Sequence, residues 1–217
     1  MNTDKKYQVI YADPPWHYHS KNYDSLLHKI KGGDGITDNK YDAECIKHYP
    51  TLSIEEMKSL PISDIADKNC ALFMWTTNAH LQGALDIMQA WGFTYRTIAF
   101  NWVKNYPNGN LRVLPGPWTN GGSEICLMGG KGNMKQFKQD ARVKQCLIQE
   151  VSKHSKKPQE IADRIVRLFP EVNRIELFAR DAKPGWDVWG NEVDNDIQMS
   201  AEPNLGTDEV SQKESHP

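Results

Sequence analysis

Residues Tyr7 to Trp16 read YQVIYADPPW, and this stretch decides how the rest of the chain is understood. Six β-preferring, largely apolar residues give the pattern of a strand covered on both faces, as in a parallel sheet. The strand stops abruptly, because each proline fixes φ near −65° and lacks the N–H a ladder needs. With proline at about 5% of residues, Asp-Pro-Pro-Trp arises by chance in roughly one chain of this size in thousands. Further strand-like runs follow at Cys70 to Trp75, Thr97 to Val103, Glu124 to Met128 and Arg174 to Phe178. Helical patterns lie between several of them. Ser53 and Glu56 form a capping box opening a short helix that Pro61 ends, and Leu81, Leu85, Met88 and Trp91 share one face of a helix that stops at Gly92. Pro158 starts a third, with Ile161, Ile165, Leu168 and Phe169 on one side. Strands alternating with helices predict an α/β architecture, a mainly parallel sheet flanked by helices, whose sites form at the carboxyl ends of strands. Asp13 stands at such an end.

The whole chain has 217 residues and a net charge of −2, which taken alone speaks against a polyanionic partner. The charge is unevenly spread. Residues 194 to 217 carry six acids, one lysine and no aromatic residue, so a disordered acidic tail is expected after a single domain spanning residues 1 to 193. Removing the tail's −5 leaves the body at +3, and the run from Lys131 to Lys157 alone reaches +6. That run is expected to form a phosphate-facing strip beside the site. No apolar stretch is long enough to span a membrane and no secretory leader is visible, so a cytoplasmic protein is expected. The four cysteines, Cys45, Cys70, Cys126 and Cys146, form no CxxC pair and are expected to be reduced core thiols. The polar, glycine-rich segment from Trp16 to Cys45 fits a mobile lid over the end of the first strand, or a plain insertion.

The chemistry of Asp13-Pro14-Pro15-Trp16 is that of an acceptor ledge. An ionised Asp13 and the Pro14 carbonyl can take both hydrogens of an NH₂ group, while an exposed Trp16 offers a face for a stacked base. An exocyclic aromatic amine is a poor nucleophile because its lone pair is delocalised into the ring. Holding both N–H bonds in acceptors favours a pyramidal nitrogen aimed at an electrophile, and if that is a sulfonium methyl group, in-line transfer follows largely from positioning. The simpler alternative is that DPPW is only a strand-ending turn.

Together with HYPTLSIEEMKSLP (His48 to Pro61), LFMWTTN (Leu72 to Asn78), AWGF (Ala90 to Phe93), WVK (Trp102 to Lys104), HSKKP (His154 to Pro158), RIELFAR (Arg174 to Arg180) and GWDVWGNE (Gly185 to Glu192), the chain resembles the MT-A-type adenine methyltransferases. The resemblance runs from about Tyr7 to Val193. It implies a circularly permuted Rossmann-like methyltransferase fold with the catalytic motif first and the cofactor strand, RIELFAR, late. It also implies S-adenosyl-L-methionine as cofactor, contacted by Asp13, Lys157, Phe178, Arg180, Asn191 and Glu192, with Asp13, Pro14, Pro15 and Trp16 catalytic. Lys157 suits the methionine carboxylate, and Asn191 and Glu192 offer acceptors to ribose hydroxyls and adenine. The implied activity is methylation of the 6-amino group of adenine, in DNA in preference to RNA. An RNA adenosine methyltransferase and a catalytically silent nucleic-acid-binding subunit are the alternatives.

Two features depart from the family pattern. In the messenger-RNA enzyme an acidic residue well upstream of DPPW helps hold the cofactor, whereas only 12 residues precede Asp13 here, so that contact is expected to come from elsewhere or to be absent. Accessory zinc fingers are also missing, which leaves target choice to the lid, the basic strip or a partner. His17 and His19 have the spacing of a metal pair but no third ligand at a useful distance, so no metal is expected. Reaching a base inside a duplex requires flipping it out, with Tyr18 and Tyr23 as candidate stacking partners.

Overall fold

The computed structural model describes residues 5–16, 52–115, 118–151 and 156–199. Seven strands form one sheet in the order β5-β3-β4-β2-β1-β6-β7. They are β1 (Tyr7–Ala12), β2 (Ala66–Thr76), β3 (Thr94–Asn105), β4 (Ser123–Lys131), β5 (Cys146–Glu150), β6 (Arg174–Leu177) and β7 (Asp187–Trp189). β1 is parallel to β2 and β6, β6 to β7, and β3 to β5, whereas β4 runs antiparallel to both β2 and β3. The sheet is therefore mixed, with β4 reversed among strands that otherwise share one direction.

Alternate residues of the central strands feed two cores. Ile10, Ala12, Leu72, Met74 and Leu127 face one side of the sheet; Val9, Tyr11, Phe73, Trp75, Phe100 and Trp102 face the other. Each fully buried large side chain contributes about 1.5–3 kcal/mol, which makes the β1–β2 pair the mechanical centre of the molecule. The first side is covered by α1 (Ile54–Ser59) and α3 (Leu81–Ala90), with α2 (Ile62–Ile65) leading into β2. The capping box forms as the sequence predicts: the Glu56 amide donates to Ser53 Oγ at 3.2 Å and the Ser53 amide to Glu56 Oε2 at 2.7 Å. At the end of α3, Gly92 takes φ +80° while the amides of Gly92 and Phe93 donate to the Gln89 and Met88 carbonyls, a Schellman stop. Met88 and Trp91 of the expected α3 face are buried and Leu85 packs against the core, but Leu81 is exposed and the buried face widens to Gly83, Ala84 and Ile87.

The second side is covered by α4 (Gln159–Leu168), which buries Ile161 and Ile165, with Phe169 just after it, as its pattern predicts, and Ala162 besides. It also buries Arg164, whose guanidinium donates to the Lys144 and Cys146 carbonyls at 2.9 Å and to Glu160 at 2.9 Å, fastening β5 to the helix. β5 and β7 are absent from the sequence reading. β5 is an exposed edge strand without an apolar face, and β7 has only three residues.

Two expectations need amending. Cys70 and Cys126 are buried free thiols, but Cys146 is exposed on the edge strand, and Cys45 lies outside the described residues. The chain also stays packed beyond residue 193. Ile197 is buried in the core, the Val188 amide donates to Asp196 at 2.8 Å and the Gly190 amide to Asn195 at 2.7 Å. Among the described residues no helix is long and apolar enough to cross a membrane.

Candidate active site

Asp13 leaves β1 at the centre of the sheet, and four elements converge on it. Lys157, just ahead of α4, places its ammonium 2.9 Å from Asp13 Oδ1 and 3.1 Å from Glu124 Oε2. Glu124, at the start of β4, is bonded on its other oxygen by Lys104 near the end of β3. The result is an alternating chain, Asp13–Lys157–Glu124–Lys104, with no net charge. Its inner members are nearly sequestered, at 15% exposure for the Lys157 side chain and 11% for that of Glu124. The lysines also lie over aromatic faces, Lys157 on Trp75 at 5.7 Å and Lys104 on Trp102 at 4.9 Å.

Burial alone would pull the Lys157 ammonium down, but the carboxylates of Asp13 and Glu124 outweigh it and hold the group above the usual lysine range. Burial would likewise raise Glu124, yet Lys157 and Lys104 keep its carboxyl below the usual range. Both groups are thus charged near neutrality. On the other flank Glu176 of β6 meets Lys183 at 2.5 Å, and burial keeps its carboxyl above the ordinary value despite that partner.

The turn itself differs from the expected ledge in two ways. The Trp16 amide folds back to the Pro14 carbonyl at 2.9 Å, a three-residue turn, and the Leu52 amide reaches the Pro15 carbonyl at 3.3 Å. Each carbonyl oxygen therefore already accepts one hydrogen bond and keeps one lone pair. Trp16 is not an exposed stacking face: it is 8% exposed, donates through Nε1 to the Trp75 carbonyl at 3.2 Å, and stacks on His80 at 5.3 Å. An indole at a strand end gains more by filling the core beside β2 than by standing in water. Trp16 thus braces the turn.

The remaining positions gather at the ends of β6 and β7. Phe178 adopts φ +59° and sets its ring edge-on to Trp189 at 5.5 Å; Arg180 and Glu192 form an ion pair at 4.0 Å, with Asn191 exposed beside it. These two strand ends are locked by the Ala179 amide on the Trp189 carbonyl at 3.0 Å. Gly190 permits the approach, since a Cβ there would sit 2.2 Å from the Ala179 carbonyl oxygen.

A family model described as MT-A70 matches residues 7–192. The chain belongs to the MT-A70 family. It is 38% identical over 197 residues to the type II methyltransferase M.MunI of a Mycoplasma species, covering 90% of this chain and 82% of that protein. It is 32% identical over 197 residues to the human N(6)-adenosine-methyltransferase catalytic subunit METTL3, covering 87% of this chain but 28% of that much longer protein. A similar partial match, 31% identical and covering 27% of the relative, is to an N(6)-adenosine-methyltransferase MT-A70-like protein of Drosophila melanogaster.

Within this MT-A70 chain, Asp13 and Lys157 are brought into contact, while Phe178, Arg180, Asn191 and Glu192 form a second group on neighbouring strand ends. Lys104 and Glu124 were not singled out as site residues. The signal was present, as lone charges at the ends of the apolar strands WVK and EICLM, where burial demands a partner. The basic strip is divided. Because β4 is reversed, Lys131 leaves it at the amino-end side, level with Cys70, and the chain must return along β5 before Lys157 reaches Asp13. His17, His19, Tyr18, Tyr23 and the rest of the expected lid lie outside the described residues.

Proposed function

We propose that this chain is an S-adenosyl-L-methionine-dependent methyltransferase acting on the exocyclic 6-amino group of adenine in nucleic acid, with DNA favoured over RNA. The observation that carries the reading is Asp13, held at the end of β1 by the buried Lys157–Glu124–Lys104 chain beside a rigid Pro14-Pro15 turn. The preference for DNA rests on M.MunI, the relative matched over most of its own length. The order of elements, with the catalytic turn first and β6 late, supports a circularly permuted Rossmann-like fold. The catalytic unit spans residues 1 to 193, with residues 194–199 closing onto β7.

The strand-end group suits the cofactor. Its adenine and ribose need an aromatic neighbour and acceptors, which Phe178, Asn191 and Glu192 supply beside the close approach that Gly190 allows. Its carboxylate needs a cation, and the Lys157 ammonium has three donors, of which Asp13 and Glu124 use two. Bound there, the cofactor supplies an electrophilic methyl group. Asp13 accepts one N–H of the target amine and the free lone pair of the Pro14 carbonyl accepts the other, which turns the nitrogen lone pair out of the ring. Transfer would form the nitrogen–carbon bond as the sulfonium sulfur–methyl bond breaks, leaving a neutral thioether, with one amine proton passing to the Asp13 carboxylate or to water. Lys157 orients Asp13, Glu124 fixes Lys157, and Trp16 fixes the turn.

The test is incubation of the purified protein with methyl-labelled S-adenosyl-L-methionine and, separately, duplex DNA, single-stranded DNA and RNA, followed by nucleoside identification. Label on the 6-amino group of deoxyadenosine is expected. Label only in RNA would move the substrate class, and label in none would favour a silent nucleic-acid-binding subunit.

A further inference from the structure

On the α4 side of the sheet, towards the amino ends of its parallel strands, lies a cavity of about 670 Å³. Small-molecule sites fall in this size range, roughly 300–1,000 Å³. Its wall is apolar, built from Phe73, Phe100, Met128, Met134 and Phe169, with the Phe73 and Phe100 rings stacked at 5.9 Å. Its rim carries three exposed cations, Arg96, Lys135 and Lys138, and no lining residue is acidic. None of the three forms an ion pair among the described residues.

The backbone is shaped around this space. β3 breaks register against β4 between Tyr95 and Thr97 and again between Ile98 and Phe100, both at the cavity wall. Met134 folds over the bare Gly130, where a Cβ would lie 1.8 Å from Met134 Cε, so the roof segment can sit low on β4. The cavity shares no lining residue with the Asp13–Lys157–Glu124–Lys104 chain or with the Phe178–Glu192 group. It opens towards the amino ends of the strands: Gly130, under the roof residue Met134, stands opposite Ala71 and through it Val9, four residues or about 13 Å of strand before Asp13, while the inner wall comes nearer, Phe73 standing opposite Tyr11.

An apolar chamber with three like charges at its mouth is unsatisfied twice over: the wall gains from excluding water, and the cations gain from a shared counter-charge. A phosphate polymer would satisfy the rim but leave the chamber empty, and a neutral apolar molecule would do the reverse. We infer that this cavity is a binding site for a small organic anion with an apolar body, such as an acyl or aryl carboxylate or sulfonate, separate from the site around Asp13. It makes Lys135 and Lys138 ligand contacts of that chamber and not part of a phosphate strip beside the active site. The inference is independent of the methyltransferase reading.

The test is fluorescence titration of the full chain with anilinonaphthalene sulfonate, an aromatic anion that brightens in apolar sites, with decanoate, decanol, a short DNA duplex and S-adenosyl-L-methionine as competitors. Saturable binding displaced by decanoate is expected. The exposed double variant Lys135→Gln/Lys138→Gln should weaken the two anions about tenfold and leave decanol within about twofold, because only charge-assisted contacts are lost. Circular dichroism of the variant checks that it folds. Absence of saturable binding, binding indifferent to the double substitution, or full displacement by S-adenosyl-L-methionine would each overturn the inference. So would displacement by the duplex without displacement by decanoate, which would make the rim a nucleic-acid surface.

Discussion

Glu124 shows how much a single side chain decides. It is a nearly buried carboxylate shared by two lysines, so removing its charge leaves two ammonium groups facing each other out of water. Breaking such a pair from one side costs about 3–5 kcal/mol, and Glu124→Gln should lose about that much stability in urea denaturation near neutral pH. The pH dependence has a definite sign. The folded carboxyl lies below its ordinary value, so its contribution is complete above roughly pH 4.3 and fades as pH falls through the depressed folded value. Lys157, held above the usual range, keeps its contribution below about pH 10.4 and loses it only as pH rises through the raised folded value. The gap in urea midpoint between wild type and Glu124→Gln should therefore stay flat around neutrality and narrow on the acid side. A gap that widens in acid would contradict the assignment.

Among the elements, the strand ends and helix caps carry the predictions. Gly190→Ala would push a methyl group against the Ala179 carbonyl, prising β7 from β6 where Phe178, Asn191 and Glu192 stand. Its expected effect is about tenfold weaker S-adenosyl-L-methionine binding by calorimetry, about 1.4 kcal/mol, with the far-ultraviolet spectrum preserved. Ser53→Ala removes the α1 cap and should cost about 1 kcal/mol without changing cofactor affinity. These elements also show what a sequence can and cannot reveal. β1, the Ser53 cap and the Gly92 stop are local, each set by a few adjacent residues with strong preferences. β5 exists because Asn101 to Asn105 offers it a ladder and Arg164 clamps the Lys144 and Cys146 carbonyls at its start, neither of which is visible in CLIQE itself. Trp16 was misjudged for the same reason, since its burial depends on Trp75 and His80, more than fifty residues away. Pairing Asp13 with Lys157 across 144 positions likewise needs the fold, although each residue taken alone stood out in its motif.

For the whole molecule, the reversed β4 organises function. It carries Glu124 to the site at its start and delivers the chain to the opposite end of the sheet at Lys131, so residues between β4 and β5 help build a second chamber that shares no lining residue with the site. The return through β5 then brings Lys157 to Asp13. The central claim is that Asp13, so placed, positions an adenine amine for methyl transfer. The direct measurement compares wild type with Asp13→Ala on adenine-containing duplex DNA and methyl-labelled S-adenosyl-L-methionine, by mass spectrometry of the digested nucleosides. The account predicts labelled N6-methyldeoxyadenosine from the wild type and at least about a hundredfold less from the folded variant; an equal yield from both, or label on any other atom, would contradict it.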